Sequence, residues 1–371
     1  MTAASATATP GTVHVVLPGD VDDPTVPSGG NTYDRRVCQG LAAQGWRVDE
    51  IAAPGAWPHP DPTARAALAR RLAALPDGDP VLLDGLVACA APDVVVAQTT
   101  RLRPVVLVHL PLADETGLPP TVAADLHARE HATLRAASAV VATSPWAARR
   151  LVDRHELPEN RVHVAPPGTD PAPPAPGTDG ASRLLCVAAL TPTKGHDLLI
   201  EALATLTDLP WSCVCVGSRR RAPAYAARLR DRIDHLGLDA RVSLPGPSSG
   251  DHLAAHYAAA DLVVLASRAE TYGMVVTEAL ARGVPVLATN VGGLPDTLGY
   301  APDGSRPGML VPPETPALAD ALRRWLGEPE LRHQLRGAAR RRRGMLGGWQ
   351  QTAQRLAEVL ATLRPDTGRT T

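Results

Sequence analysis

Residues 259–298 read AADLVVLASRAETYGMVVTEALARGVPVLATNVGGLPDTL, and their pattern decides how the chain folds. Asp261 to Ala266 is a short apolar run closed by a polar Ser267-Arg268 turn, the signature of a strand buried on both faces of a parallel sheet. From Tyr272 onward, Val275, Val276, Ala279 and Leu280 recur at helical spacing without a proline, and Gly283 stands just past the last turn as a stop. Residues 284–288 form a second buried run, closed by Asn290, Gly292, Gly293 and Pro295. Strand, helix and strand in that order make a parallel crossover unit of an α/β fold.

The chemistry of this unit lies at its first joint. Glu270 and Glu278 flank the helix start, which falls at Gly273-Met274-Val275. A glycine there lets the backbone approach a ligand closely. The free N–H groups of the first turn, with the helix dipole behind them, suit a diphosphate. Glu270 precedes that anion site and Glu278 follows it by about one and a half turns, so carboxylates flank whatever the phosphates carry.

The run ETYGMVVTEALARGVPVLATNVGG, residues 270–293, resembles the E-x7-E signature of the retaining glycosyltransferases of family 4, which have the two-domain GT-B fold. The resemblance implies that Glu270 holds donor-sugar hydroxyls, Glu278 holds the ribose, and Gly273, Met274 and Val275 cradle the diphosphate. A pair of glutamates alone would read as solvated helix caps. The flanking residues favour the functional reading.

Composition agrees with a two-domain enzyme. The 371 residues suffice for two cores, and a formal net charge of -1 leaves no basic excess for nucleic acid. With no Phe, Leu and Val must fill those cores. The five cysteines are scattered and odd in number, without a CxxC pair, which argues against both a disulfide framework and a zinc site. The start MTAASATATPGT has no signal-peptide pattern, and no apolar run reaches about 18 residues. A soluble cytoplasmic protein is expected.

In the first half, residues 13–18 read as a buried strand, residues 19–31 as a polar loop ending in Gly29-Gly30, residues 33–44 as a helix and residues 46–51 as a strand. A G-x-G-x-x-G run is absent, so no nicotinamide cofactor is expected; the resemblance implies that the loop at Gly29 and Gly30 approaches the donor phosphate. Residues 81–83, 94–97 and 105–108 read as further strands. His109 stands at the end of the last, where open α/β sheets place ligands, and the resemblance puts it near the acceptor and the transferred sugar. His127 and His131 have i, i+4 spacing but no evident third metal ligand. Asp20, Asp22, Asp23, Asp114 and Glu115 raise an amine-bearing acceptor as a weak idea, with ordinary solvated loops preferred.

Residues 171–181, PAPPAPGTDGA, read as the linker. The expected division is an acceptor-side Rossmann-like domain over 1–170, a donor-binding one over 171–348, and a last helix, 349–365, returning to the first. In the second half Lys194-Gly195 resembles the family's phosphate-binding loop. At the preceding strand end, where the family has Gly-Arg, this chain has Ala188-Ala189. The resemblance therefore leaves a cation to be found, and Arg219, Arg220 and Arg221 are the candidates. Arg241 and Val242 open a run, residues 241–246, that resembles the strand reading the nucleobase edge.

The expectation is a metal-independent, retaining glycosyltransferase with catalytic Glu270, His109 and Lys194. It moves a sugar from a nucleoside diphosphate sugar, a co-substrate rather than a cofactor, to a hydroxyl of a small-molecule or glycan acceptor. A GT-B nucleotide-sugar epimerase and a non-catalytic nucleotide-sugar binding protein stand as alternatives.

Overall fold

The computed structural model describes residues 11–363. Positions 364 and 365 of the expected last helix, and residues 1–10 with their reading as a start lacking a signal segment, lie outside them. Among the described residues no helix is long and apolar enough to cross a membrane.

Twelve strands build two parallel sheets. The first contains β1 (Thr12–Pro18), β2 (Arg47–Ala53), β3 (Pro80–Asp84), β4 (Arg103–Val108), β5 (Ala139–Ala142) and β6 (Val162–Val164), in the order β2-β1-β3-β4-β5-β6. The second contains β7 (Arg183–Val187), β8 (Ser212–Val216), β9 (Val242–Gly246), β10 (Leu262–Leu265), β11 (Val286–Thr289) and β12 (Gly308–Val311), in the order β12-β11-β10-β7-β8-β9. Each sheet starts at an inner strand, winds outward to one edge, then returns to the other side of its first strand. The order therefore reverses between β1 and β3, and again between β7 and β10, which are the places where such sheets open a crevice at their carboxyl ends.

Helices cover both faces of each sheet. Leu83, Val106 and Val140 look into one apolar layer of the first sheet, and Val13, Val15, Leu82 and Val141 into the other. That second layer includes Leu356, Val359 and Leu360 from the helix Trp349–Thr362, so the last helix is part of the first domain's core. It crosses the helix Gly29–Ala43 closely: a Cβ at Gly40 would stand 2.5 Å from that of Ala353. Each leucine buried there contributes about 1.5–3 kcal/mol.

The chain passes between domains twice, at residues 165–182 and again near Gly347. The passages are tied to each other, because the N–H of Thr169 donates to the carbonyl of Gly347 at 2.8 Å. The first passage is strapped to the second domain, with Thr178 donating its N–H and hydroxyl to Asp261, at 3.0 and 2.6 Å.

The structure corrects several sequence readings. Residues 94–97 are not a strand; Pro92–Val96 is a short helix, because Pro92 at the first helical position nucleates a turn and a short apolar run fits either conformation. Gly29 and Gly30 are not in a loop either. Ser28 caps a helix that starts at Gly29, its hydroxyl accepting from the N–H of Asn31 at 3.0 Å, so both glycines lie in a first helical turn. The helix after Glu270 begins at Met274 rather than Tyr272, since Gly273 before it has a left-handed backbone (φ 83). The strand expected from Arg241 starts at Val242.

Candidate functional site

The loops after β7 and β10 meet at the second sheet's point of reversal and bring Lys194 to Glu270. Lys194 Nζ donates to Glu270 Oε1 at 2.5 Å, and the Ser267 hydroxyl donates to the same oxygen at 3.2 Å. The Glu270 backbone is fixed by the turn after β11: Gly293 donates to its carbonyl at 2.9 Å, and Gly292 (φ 57) lies so close that a Cβ would stand 1.7 Å from that oxygen. Only glycine fits there.

Beyond Glu270 the helix Met274–Ala281 presents its amino end without any side-chain cap. A second helix end faces it, since a Cβ at Gly29 would stand 3.3 Å from Met274 Sδ. Two positive helix ends, one from each domain, thus meet beside the joint where Lys194 pairs with Glu270, an arrangement that attracts anions. Glu278, one turn further along, accepts from the Tyr257 hydroxyl at 2.6 Å. Burial raises its pKa, against the Tyr257 hydrogen bond and the charge of Arg282.

On the opposite wall His109 closes β4. Its Nε2 is 2.9 Å from Asp34 Oδ1 and 3.7 Å from Asp84 Oδ2. Asp34 comes from the helix Gly29–Ala43 and Asp84 from the end of β3, and both are almost fully buried. Burial would lower the His109 pKa, but the charge of Asp34, its hydrogen bond and the charge of Asp84 outweigh it and hold the ring at about 9. Asp84 is pushed up to about 8, first by burial and then by the charge of Asp34. These three residues are the one group among those described whose histidine and carboxylate atoms converge, within 4.8 Å. His109 is bonded directly to Asp34, with Asp84 behind the pair. His127 and His131 do find a third imidazole, that of His155 stacked 4.9 Å from His127, but His155 Nε2 is engaged by Glu130 at 3.1 Å.

The domains meet across these walls. Thr271, next to Glu270, donates its hydroxyl to the His109 carbonyl; the Ser144 hydroxyl donates to the Thr271 carbonyl at 2.6 Å; and the Ser218 hydroxyl donates to the Thr25 carbonyl at 2.6 Å.

Residues 27–173 match the family described as Glycosyltransferase Family 4, and residues 175–342 match Glycosyl transferases group 1. The chain belongs to the family 4 glycosyltransferases. It is similar to the D-inositol 3-phosphate glycosyltransferase of Kineococcus radiotolerans, 36% identical in an alignment 255 positions long that covers 62% of this chain and 58% of that protein. It is also similar to the mannosylfructose-phosphate synthase of Agrobacterium fabrum, 30% identical over 45% of this chain and 40% of that one. The chain thus spans well under two thirds of these relatives' length. Among solved structures, sucrose-phosphate synthase from Thermosynechococcus elongatus has a TM-score of 0.78 at 23% identity, over 95% of this chain and 98% of that one. Anabaena HepE, in complex with UDP and glucose, has a TM-score of 0.73 at 18% identity, over 94% and 99%. The fold is GT-B.

Within this family 4 chain, Lys194, Glu270, Gly273, Met274 and Val275 surround one joint, Glu278 follows on the same helix, Gly29 and Gly30 face it, and His109 stands on the wall behind Gly30. Arg241 and Val242 do not join them. Val242 starts β9 and Arg241 precedes it, at the amino edge of the sheet, whereas open α/β sheets take ligands at the carboxyl edge. Arg241 stacks on Trp211 at 3.9 Å and donates to the Trp211 and Thr207 carbonyls at 3.1 Å each, and Val242 is core. Residues near Gly246 occupy the carboxyl end instead. Arg219 donates to the Leu244 carbonyl of β9, while Arg220 and Arg221 reach Thr25 and Val26 of the first domain. No arginine of this run joins the Lys194–Glu270 pair. The acidic loops hold no spare cluster for an amine: Asp22 pairs with Arg35, Asp23 accepts from Thr25, and Asp114 from Arg150 and Arg154.

Sequence reasoning missed Asp34, Asp84, Thr271, Ser144 and Tyr257. Asp84 carried a signal, being a polar residue that ends a buried strand beside the reversal point.

Proposed function

We propose that the chain transfers a sugar from a nucleoside diphosphate sugar to an acceptor hydroxyl with retention at the anomeric carbon. The observation that carries this reading is the joint itself: one lysine, two facing helix ends and two carboxylates arranged as an anion site flanked by hydroxyl acceptors. Support for the donor class comes from HepE, whose structures hold UDP and UDP-glucose. The diphosphate lies against Lys194 and the amino ends of the helices at Met274 and Gly29, while Glu270 accepts from sugar hydroxyls and Glu278 from the ribose. As the donor enters, Lys194 exchanges Glu270 for phosphate oxygens.

The bond from the anomeric carbon to the diphosphate oxygen breaks while the acceptor oxygen attacks from the same face, and the departing oxygen takes the acceptor proton. The products are a glycoside and a nucleoside diphosphate. Lys194 and the helix ends stabilise the charge on the leaving group, so a divalent ion is not required for that task. His109 does not serve as the base: a ring held at about 9 is protonated at neutral pH, with roughly one molecule in a hundred able to accept a proton. This also counts against the epimerase reading, which needs a free acid/base on this wall.

The test is a thermal-shift panel of UDP, GDP, dTDP and ADP with their common sugars, with and without EDTA, followed by NMR of the product's anomeric configuration. A donor at about a hundred times its dissociation constant stabilises the fold by roughly 2.7 kcal/mol. Stabilisation by one base, unaffected by EDTA, and a retained anomer support the reading; no response to any donor overturns it.

A further inference from the structure

The His109 wall holds more than a ligand contact needs. The proposed transfer accounts for a histidine at this strand end; nothing in the site as described requires two buried carboxylates behind it. Yet Asp34 is 2% exposed and Asp84 5%, and burying even one carboxylate is costly unless it is paired. The arrangement is directional. Nε2 of the ring points back to Asp34 at 2.9 Å, the ring edge lies against Tyr33 with centroids 5.2 Å apart, and a Cβ at Gly30 would stand 3.2 Å from the ring. The imidazole is therefore gripped on the inward side by two elements. Nδ1 has no protein partner and is not among the buried unpartnered atoms, and the side chain is 21% exposed, so Nδ1 is the ring nitrogen left open to the cleft. Asp34 Oδ2, in contrast, is buried without a donor, and a carboxyl oxygen of Asp84 lies within 4.8 Å of the Asp34 and His109 atoms, placed to answer it when protonated.

We propose that Asp34, backed by a protonated Asp84, is a positioning residue that keeps His109 a doubly protonated imidazolium with Nδ1–H aimed into the cleft. This rests on the glycosyl-transfer reading only for what Nδ1–H meets, namely an oxygen of the transferred sugar or of the acceptor. The charge state is a property of the free protein. The groups that set it are Asp34 from the helix Gly29–Ala43 and Asp84 from β3. Tyr33 is neutral, its pKa raised by burial and its hydroxyl donating to the Ala165 carbonyl at 2.8 Å, and Thr271 brings only a hydroxyl. An Asp–His pair is often a means of making a base, but with both carboxylates buried behind it here the ring becomes a fixed donor.

The experiment is an NMR titration of the His109 ring signal in the unliganded full chain, assigned by its loss in His109→Gln. The wild-type ring is expected to stay charged to near pH 9. In Asp34→Asn it titrates at least one pH unit lower, and Asp34→Glu restores part of the difference. A wild-type ring that titrates near the ordinary imidazole value of about 6.5, or a titration unmoved by Asp34→Asn, overturns the proposal. A second arm uses turnover. Asp34→Asn should lose roughly tenfold or more in kcat at pH 8 and regain most of it at pH 5.5, where bulk acid charges the ring; KM for the donor should change little. A deficit equal at both pH values indicates a merely structural role and sinks it. Should Asp34→Asn not fold, Asp84→Asn carries the same comparison with a smaller shift. Because the titration needs neither donor nor acceptor, it stands or falls independently of the transferase assignment.

Discussion

Two ion pairs line the cleft, one on each wall, and they are built in opposite ways. Lys194 and Glu270 form a single contact, with side chains 30% and 12% exposed, between two loops of the second domain. His109 is held by two carboxylates that are almost fully buried, from two different elements of the first domain. On the proposed reading both members of the first pair are ligand groups, and a single contact between two partly exposed loop side chains is the easier of the two to open. The second has no alternative partner on its inward side, and removing one member strands a buried charge. An exchangeable pair suits the wall that binds and releases; a locked one suits the wall that must present the same donor to every substrate.

Mutations can break this contrast. The largest effect is expected for Glu270→Gln, which should lower transfer about 10²–10³-fold by weakening hydrogen bonds made as the sugar becomes cationic, while leaving the His109 titration where it was. Steady-state kinetics and the NMR titration of one variant check both halves. Lys194→Ala should weaken donor binding about tenfold to a hundredfold, the loss of one charge-assisted hydrogen bond, as read by calorimetry with the nucleoside diphosphate alone.

The locked wall should reveal itself through pH. His109 and Asp84 both have folded pKa values raised above their unfolded ones. Their stabilisation is therefore complete below the unfolded values and is lost as pH rises, for Asp84 up to about 8 and for His109 up to about 9. Unfolding free energy in denaturant titrations should fall from pH 6 to 9 by at most about 1.4 kcal/mol per pH unit per group, and Asp84→Asn should remove much of the fall below pH 8. The smallest effect belongs to a surface pair: Arg35→Ala, which removes contacts to the exposed Asp22 and Glu50, should change stability by no more than about 1 kcal/mol in denaturant titration.

The walls differ also in how readily they were read. Glu270, Gly273 and Glu278 lie in one continuous stretch, and strand, left-handed glycine and helix follow each other locally, so their arrangement needed no tertiary knowledge. Asp34, Asp84 and His109 come from three elements 25 or more residues apart in the chain, joined only because the sheet runs β2-β1-β3-β4. No local pattern announces such a meeting. Arg241 was misplaced for a related reason: a strand was recognised but its amino end was taken for its ligand end. Residues 94–97 failed because four apolar residues carry too little period to separate helix from strand.

The tie between Thr169 and Gly347 has a mechanical meaning. Two covalent passages joined by a hydrogen bond act like the paired knuckles of a door hinge, suppressing twist and sideways slip and leaving opening and closing as the easy motion. An opening about that tie would part the Thr271 hydroxyl from the His109 carbonyl, and a closing along the same arc would bring the two walls back into register without a search.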